Sequence, residues 1–206
     1  MTETFAARAA AYYAEKLKAH GPTHRGVDWN STESQELRFA QLLRICASEA
    51  APSLIDFGCG YGALVDYLEH ARRPFDYCGY DASPAMIEAA RVRHPKLPAS
   101  AFTSERSSIQ RRDYTVASGV FNVKLDAPDS AWRAYLHREL DAIAAMSRRG
   151  FAFNLLTGYS DPDRKRDDLF YEEPEDVFRY CMRRFSRAVA LSHDYPLYEF
   201  TVLVRL

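Results

Sequence analysis

Cysteine is sparse in this 206-residue chain and never paired along it: Cys46, Cys59, Cys78 and Cys181 stand far apart, with no CxxC among them. That spacing excludes a disulfide framework and a zinc-finger pattern. Reduced, mostly buried thiols in a cytoplasmic protein are expected, with no metal. Long apolar runs are also missing. No stretch approaches the roughly 20 apolar residues that cross a bilayer. The first twenty residues carry Arg8, Glu15, Lys16 and Lys18 among their alanines, so they lack the apolar core of a signal peptide. A dominant charge is absent too. Lys plus Arg is 27 against 28 Asp plus Glu, so no global basic field draws the chain to nucleic acid. Arg72-Arg73, Arg111-Arg112 and Arg148-Arg149 read as solvated charges at element ends. Neither a membrane nor a nucleic-acid partner is expected.

What is present is an ordinary globular composition, 47% hydrophobic and 27% charged, at a length that fits one compact α/β domain. Residues 1–50 read as a helical cap and 53–206 as the core. In the cap, a helix from Thr4 to His20 is stopped by Gly21-Pro22. A second helix, capped by Ser31 or Thr32, carries Leu37, Phe39, Leu42, Leu43 and Cys46 at helical spacing. A polar loop through Trp29 joins them.

From Ser53 strands and helices alternate. Short strands are expected at 54–57, 77–80, 99–103, 114–120 and 151–156, with helices over 63–72, 85–93, 130–147 and 175–184. Repeated crossovers imply a mostly parallel sheet covered on both faces. The last two strands, 188–191 and 198–206, are joined by too few residues for a helical crossover and should pair antiparallel. The expected architecture is a Rossmann-like sheet of seven strands, the last antiparallel, beneath an N-terminal helical lid.

The run Leu54-Ile-Asp-Phe-Gly-Cys-Gly-Tyr-Gly-Ala-Leu64 is the most informative. Gly58, Gly60 and Gly62 permit a sharp turn and close approach of backbone to a ligand. Asp81 ends the next strand, where a carboxylate can accept both ribose hydroxyls of an adenosine. Each such charge-assisted bond contributes roughly 1.5–3 kcal/mol. A dinucleotide site needs GxGxxG, whereas this pattern is Gly58-x-Gly60-x-Gly62 preceded by Asp56. A carboxylate there repels a pyrophosphate and suits a cationic, amino-bearing ligand. That argues against an NAD-linked oxidoreductase and for a sulfonium amino acid.

With those residues in place, 54–124 and more loosely the whole chain resemble the class I S-adenosylmethionine-dependent methyltransferases. The resemblance implies S-adenosyl-L-methionine as cofactor. It places Asp56, Gly58, Gly60 and Gly62 near the methionyl part and Asp81 on the ribose. Ala82, Ser83 and Met86 fall where the family packs the adenine, and Ser118 to Asn122 flank cofactor and acceptor. The family's aspartate after the third strand is displaced here, where the chain reads Phe102-Thr-Ser-Glu105. The Asn/Asp-Pro-Pro-Tyr signature of nucleic-acid amino methyltransferases is missing. The resemblance also extends to a small bacterial subgroup through Gly21 to Trp29, Ala117 to Lys124, His193-Asp194 and Glu199-Phe-Thr201.

Methyl transfer from a sulfonium is an in-line displacement that needs alignment and exclusion of water, and a base only if the acceptor must lose a proton. Ligands of this fold sit beyond the carboxyl ends of the strands, so Asn122, Lys124, Thr157, Tyr159, His193 and Asp194 are acceptor-side candidates. His193 is the preferred base, because imidazole titrates near neutrality; a hairpin histidine is the plainer reading. Asn122 either binds the acceptor or ties down its loop. Tyr12, Tyr13, Trp29 and Phe39 form an aromatic lid over the methionyl end or simply pack the cap, with Arg38 or Arg25 meeting the methionyl carboxylate. The expected function is transfer of the methyl group to nitrogen or oxygen of a small-molecule acceptor, by a monomer or homodimer. Methylation of a protein or RNA, and non-catalytic cofactor binding, are the alternatives.

Overall fold

A computed structural model describes residues 4–206. Its centre is an eight-stranded sheet: β1 (Ser53–Phe57), β2 (Asp76–Tyr80), β3 (Phe102–Thr103), β4 (Arg112–Ala117), β5 (Ser147–Thr157), β6 (Tyr171–Glu172), β7 (Ala188–Ser192) and β8 (Glu199–Arg205). The main path runs β3-β2-β1-β4-β5-β8-β7, and β6 pairs the end of β5. All pairs from β3 to β5 are parallel, while β8 runs antiparallel to both β5 and β7. The seven-stranded expectation therefore describes the main path, and the two-residue β6 is added to it.

Helices α3 (Ala63–His70), α4 (Pro84–Arg93), α5 (Asp129–Met146) and α6 (Pro174–Arg184) complete the core. Alternation along β1 sorts the two layers. Leu54 joins Leu64, Val65, Leu68, Ile87 and Ala90 of α3 and α4 on one face. Ile55 and Phe57 join Trp132, Leu136, Leu140 and Ile143 of α5 on the other, together with Val177 and Cys181 of α6. Each helix buries the stripe its 3.6-residue period puts on one side. All four cysteines are free and buried.

The cap consists of α1 (Phe5–His20), a short 3₁₀ turn His24–Val27, and α2 (Thr32–Leu42). Thr4 and Ser31 cap the two helices by accepting from Ala7 N (3.2 Å) and Ser34 N (3.1 Å). Ser83 does the same for α4 ahead of Pro84.

Element edges moved where turn chemistry overrode apolar pattern. The expected strand 99–103 shrinks to Phe102–Thr103, because Pro98 starts a 3₁₀ turn over Ala99–Ala101. The strand expected to reach Val120 ends at Ala117, and Gly119, at φ +70°, turns the chain out of the sheet. Among the described residues no helix is long and apolar enough to cross a membrane.

Candidate cofactor and acceptor site

The turn after β1 is built by alternation. Gly58, Gly60 and Gly62 take φ of +80°, +53° and +85°, values that an L side chain adopts only under strain. The turn folds back on β2, with Gly58 N and Cys59 N both donating to the Tyr80 carbonyl at 2.7 and 2.9 Å. Gly60 N then donates to Asp81 Oδ2 at 2.9 Å, and Ser83 N to Asp81 Oδ1 at 2.8 Å. Asp81 thus joins the turn to the N-terminus of α4. A Cβ on Gly58 would lie 2.4 Å from Val120 Cγ2, so the turn and the loop after β4 approach as closely as backbone allows.

Two carboxylates face the space above this turn. Asp56 is buried and accepts from the Tyr77 hydroxyl at 2.8 Å. Desolvation raises its pKa to about 7, against the lowering effect of the Tyr77 bond, and the nearby Asp81 charge adds to the rise. Burial also raises Asp81, while the bonds from Ser83 N and Gly60 N hold it down.

The opposite wall comes from the cap. Ala6, Ala9, Ala10 and Tyr13 of α1, with Val27, Trp29, Gln35 and Phe39, line a partly open cleft against Asp56, Gly58, Gly60, Asp81, Ala82, Met86, Ser118 and Gly119. Asp28 pins α1 in place. It holds a left-handed conformation and accepts from the Tyr12 hydroxyl (2.7 Å) and Lys16 Nζ (2.8 Å). At the other end of α1, Phe5 meets the rings of Trp132 and Tyr135 edge-on at 5.4 and 5.7 Å. Burial raises the Tyr13 hydroxyl far above its ordinary pKa, so it stays a neutral phenol at the wall.

Of the residues expected at the site, Asp56, Gly58, Gly60, Asp81, Ala82, Met86, Ser118, Tyr13 and Trp29 line one cavity. Gly62 and Ser83 lie behind it as turn and cap, and a Cβ on Gly62 would meet His94 at 2.8 Å. Arg38 does not take the expected place at a methionyl carboxylate. Its Nε and Nη2 are committed to buried Glu199 at 2.7–3.0 Å, and its guanidinium lies 3.9 Å from the Trp29 ring centroid. His193 is exposed beyond β7, its ring 6.3 Å from both Tyr159 and Phe200, and is not part of the cavity lining. Asn122 is also outside the lining. It is buried with neither side-chain amide atom hydrogen-bonded among the described residues, while its backbone carbonyl accepts from Phe170 N at 2.8 Å.

Sequence reasoning assigned no role to several residues. Arg106 and Glu139 line the far end of the cavity as an ion pair (2.9 Å), beside Phe57, Tyr80 and Tyr135. They occupy the neighbourhood where an acid after β3 was expected, while Glu105 is left outside the lining. Gln35 accepts from Tyr61 at 3.2 Å, and Asn154 with Glu199 supports the wall from within the sheet. No local pattern marks these residues. A lone acid opening an apolar strand, as at Glu199, is the one signal available.

The arrangement fits a nucleoside-bearing cation. It offers backbone at van der Waals approach, a carboxylate at the tip of β2, a second carboxylate under the turn, and a buried Ser118 Oγ with no hydrogen-bond partner among the described residues. Residues 55–139 match the family model described as a methyltransferase domain. The chain is 48% identical over 163 residues to a Mycobacterium tuberculosis protein assigned as a methyltransferase, Rv1506c, covering 79% of this chain and 98% of that one. It is 35% identical over 91 residues to trans-aconitate 2-methyltransferase of Methylobacterium radiotolerans, 39% of this chain and 35% of that protein. The N-methyltransferase NodS of Bradyrhizobium japonicum, solved with S-adenosyl-L-homocysteine, shares the fold at a TM-score of 0.65 and 18% identity, over 95% of this chain and 97% of that one. The protein belongs to the methyltransferases, and it shares its fold with members solved with S-adenosylmethionine or S-adenosyl-L-homocysteine bound.

Proposed function

We propose that the protein transfers the methyl group of S-adenosylmethionine to a nitrogen or oxygen of a small-molecule acceptor. The observation that carries this reading is the cap. Ala6, Ala9, Ala10, Tyr13 and Trp29 cover the cleft opposite the glycine turn, which leaves a partly closed site suited to a metabolite. On this reading residues 1–50 are the cap of a single domain whose core is 53–206.

The cofactor supplies an activated methyl group; the chain's own residues hold and shield it. Asp81 would accept the ribose hydroxyls, the turn and Asp56 would face the cationic end, and the cap would exclude water. When bound, the cofactor would offer its methyl carbon to in-line attack by the acceptor's lone pair, with the sulfur keeping the C–S bonding pair. A neutral amine acceptor attacks with its lone pair and loses its proton to solvent after transfer, with no base required of the chain, whereas a hydroxyl or protonated amine must first give its proton to a base.

Wall chemistry favours a neutral or amine-bearing acceptor. Arg106, the one basic residue among the described lining residues, is paired with Glu139, and Asp56 and Asp81 add negative charge. A tricarboxylate of the kind named for the Methylobacterium relative has no free cation to meet there.

Calorimetric titration tests the reading. The wild-type protein should bind S-adenosylmethionine and S-adenosylhomocysteine in the micromolar range and leave NAD unbound. Asp81→Ala should weaken both by more than about 100-fold, the loss of two charge-assisted bonds. Metabolite fractions should then release S-adenosylhomocysteine from the loaded protein. Turnover of RNA or protein but not of metabolites would overturn the acceptor class, and tight binding with no turnover of any fraction would leave a cofactor-binding protein.

A further inference from the structure

Buried polar contacts run from the antiparallel end of the sheet to the cavity wall and return to their start. Glu199 opens β8 at 1% exposure. Arg38 of α2 grips both its oxygens through Nε and Nη2. Asn154 of β5 donates its Nδ2 to Glu199 Oε2, and its Oδ1 accepts from Gly119 N at 2.7 Å. Gly119 abuts Trp29 so closely that a Cβ would lie 2.3 Å from the indole Cζ2. The indole in turn lies on the Arg38 guanidinium. Arg38, Glu199, Asn154, Gly119 and Trp29 form a closed ring.

We propose that this ring is a positioning device for methyl transfer, with Glu199, Arg38 and Asn154 as positioning residues that act through Trp29 and Gly119. Stability alone is a poor reason for it, because a buried ion pair often contributes no more than well-packed apolar residues would. The ring supplies orientation. A planar guanidinium held by a carboxylate fixes the plane of the indole stacked on it. The Asn154 bond fixes the Gly119 amide and therefore Ser118, whose buried Oγ has no hydrogen-bond partner among the described residues. Both outward members, Trp29 and Gly119, face the cavity, and the three supporting residues do not. The ring thus converts packing inside the sheet into the shape of the cofactor wall.

The inference rests on the cofactor assignment, and the test keeps the two apart. The chain has two tryptophans, so 5-fluorotryptophan labelling gives two ¹⁹F resonances, assigned with Trp29→Phe. Asn154→Ala should shift or broaden the Trp29 resonance, leave that of Trp132, and weaken S-adenosylhomocysteine binding about tenfold. Arg38→Lys, which keeps the charge but loses the planar fork, should move the same resonance and weaken binding about threefold. Val204→Ala, at the far end of β8, should lower the melting temperature and do neither. Should Asn154→Ala not fold, Arg38→Lys supplies both readouts. Unchanged Trp29 resonance and affinity in the ring variants would overturn the proposal, as would equal loss of affinity in Val204→Ala. Absence of binding in the wild type would instead sink the cofactor assignment, while the unliganded ¹⁹F spectra would still test the ring.

Discussion

The two walls of the cavity are made in opposite ways. The wall under the cofactor is local: β1, its turn and the tip of β2 lie within residues 53–81, and its contacts are largely backbone to backbone or backbone to Asp81. The wall above is assembled from a distance. Trp29 and Tyr13 come from the cap, Gly119 from the loop after β4, and their support from β5 and β8. The lower wall permits almost no variation, because its geometry depends on missing side chains. The upper wall depends on side chains held by long-range contacts, which could be exchanged only in concert.

Gly58→Ala should separate the walls most sharply. The added Cβ meets φ +80° and Val120 at once. Destabilisation of roughly 2–4 kcal/mol is expected, with S-adenosylhomocysteine binding below detection by calorimetry. Adding Val120→Ala should recover part of the stability, since it removes the clash but not the backbone strain. Full wild-type binding by Gly58→Ala would show that the lower wall is less constrained than its geometry indicates.

A smaller effect follows from Asp56. The folded protein holds this carboxyl near pKa 7 against an ordinary 3.8. Its contribution to stability is therefore complete below about pH 4 and is lost as pH rises through 7. A cationic cofactor favours the ionised form. Binding of S-adenosylmethionine should tighten from about pH 6 to pH 8 and release a proton, seen as a buffer-dependent heat. S-adenosylhomocysteine, which lacks the sulfonium, should respond less. Asp56→Asn should flatten both profiles and raise the melting temperature of the free protein at pH 8 relative to wild type. A pH-independent wild-type affinity would contradict the assignment of Asp56 to the cationic end.

The smallest effect is expected on the acceptor side of the comparison. His193 is exposed and away from the lining, so His193→Ala should change kcat by less than about twofold and leave the pH profile as it was. A loss of tenfold or more, with a missing limb near neutral pH, would restore His193 as the base.

The alternation of strands and helices, the antiparallel final pair and the glycine turn with its acid were legible without coordinates. Each depends on neighbours in the chain, such as an apolar stripe, a proline at a helix start, or a short connection. Element ends were less legible, since Pro98 and Gly119 act through turn geometry that apolar pattern does not report. Acceptor-side residues were the least legible. His193 follows the end of β7 as expected while Asn122 lies in the loop beyond β4, and whether such a residue faces the cavity depends on how the chain turns after the strand.

By itself, then, the sequence determined what a short stretch of backbone must do: glycines at positions 58, 60 and 62 leave one kind of turn, and Asp81 follows at the tip of the next strand. Tertiary structure decided the partners of charges. Arg38 looked free to meet a ligand carboxylate, but Glu199, 161 residues away, claims it. A buried charge must be paired where it lies, and only packing brings that partner to it.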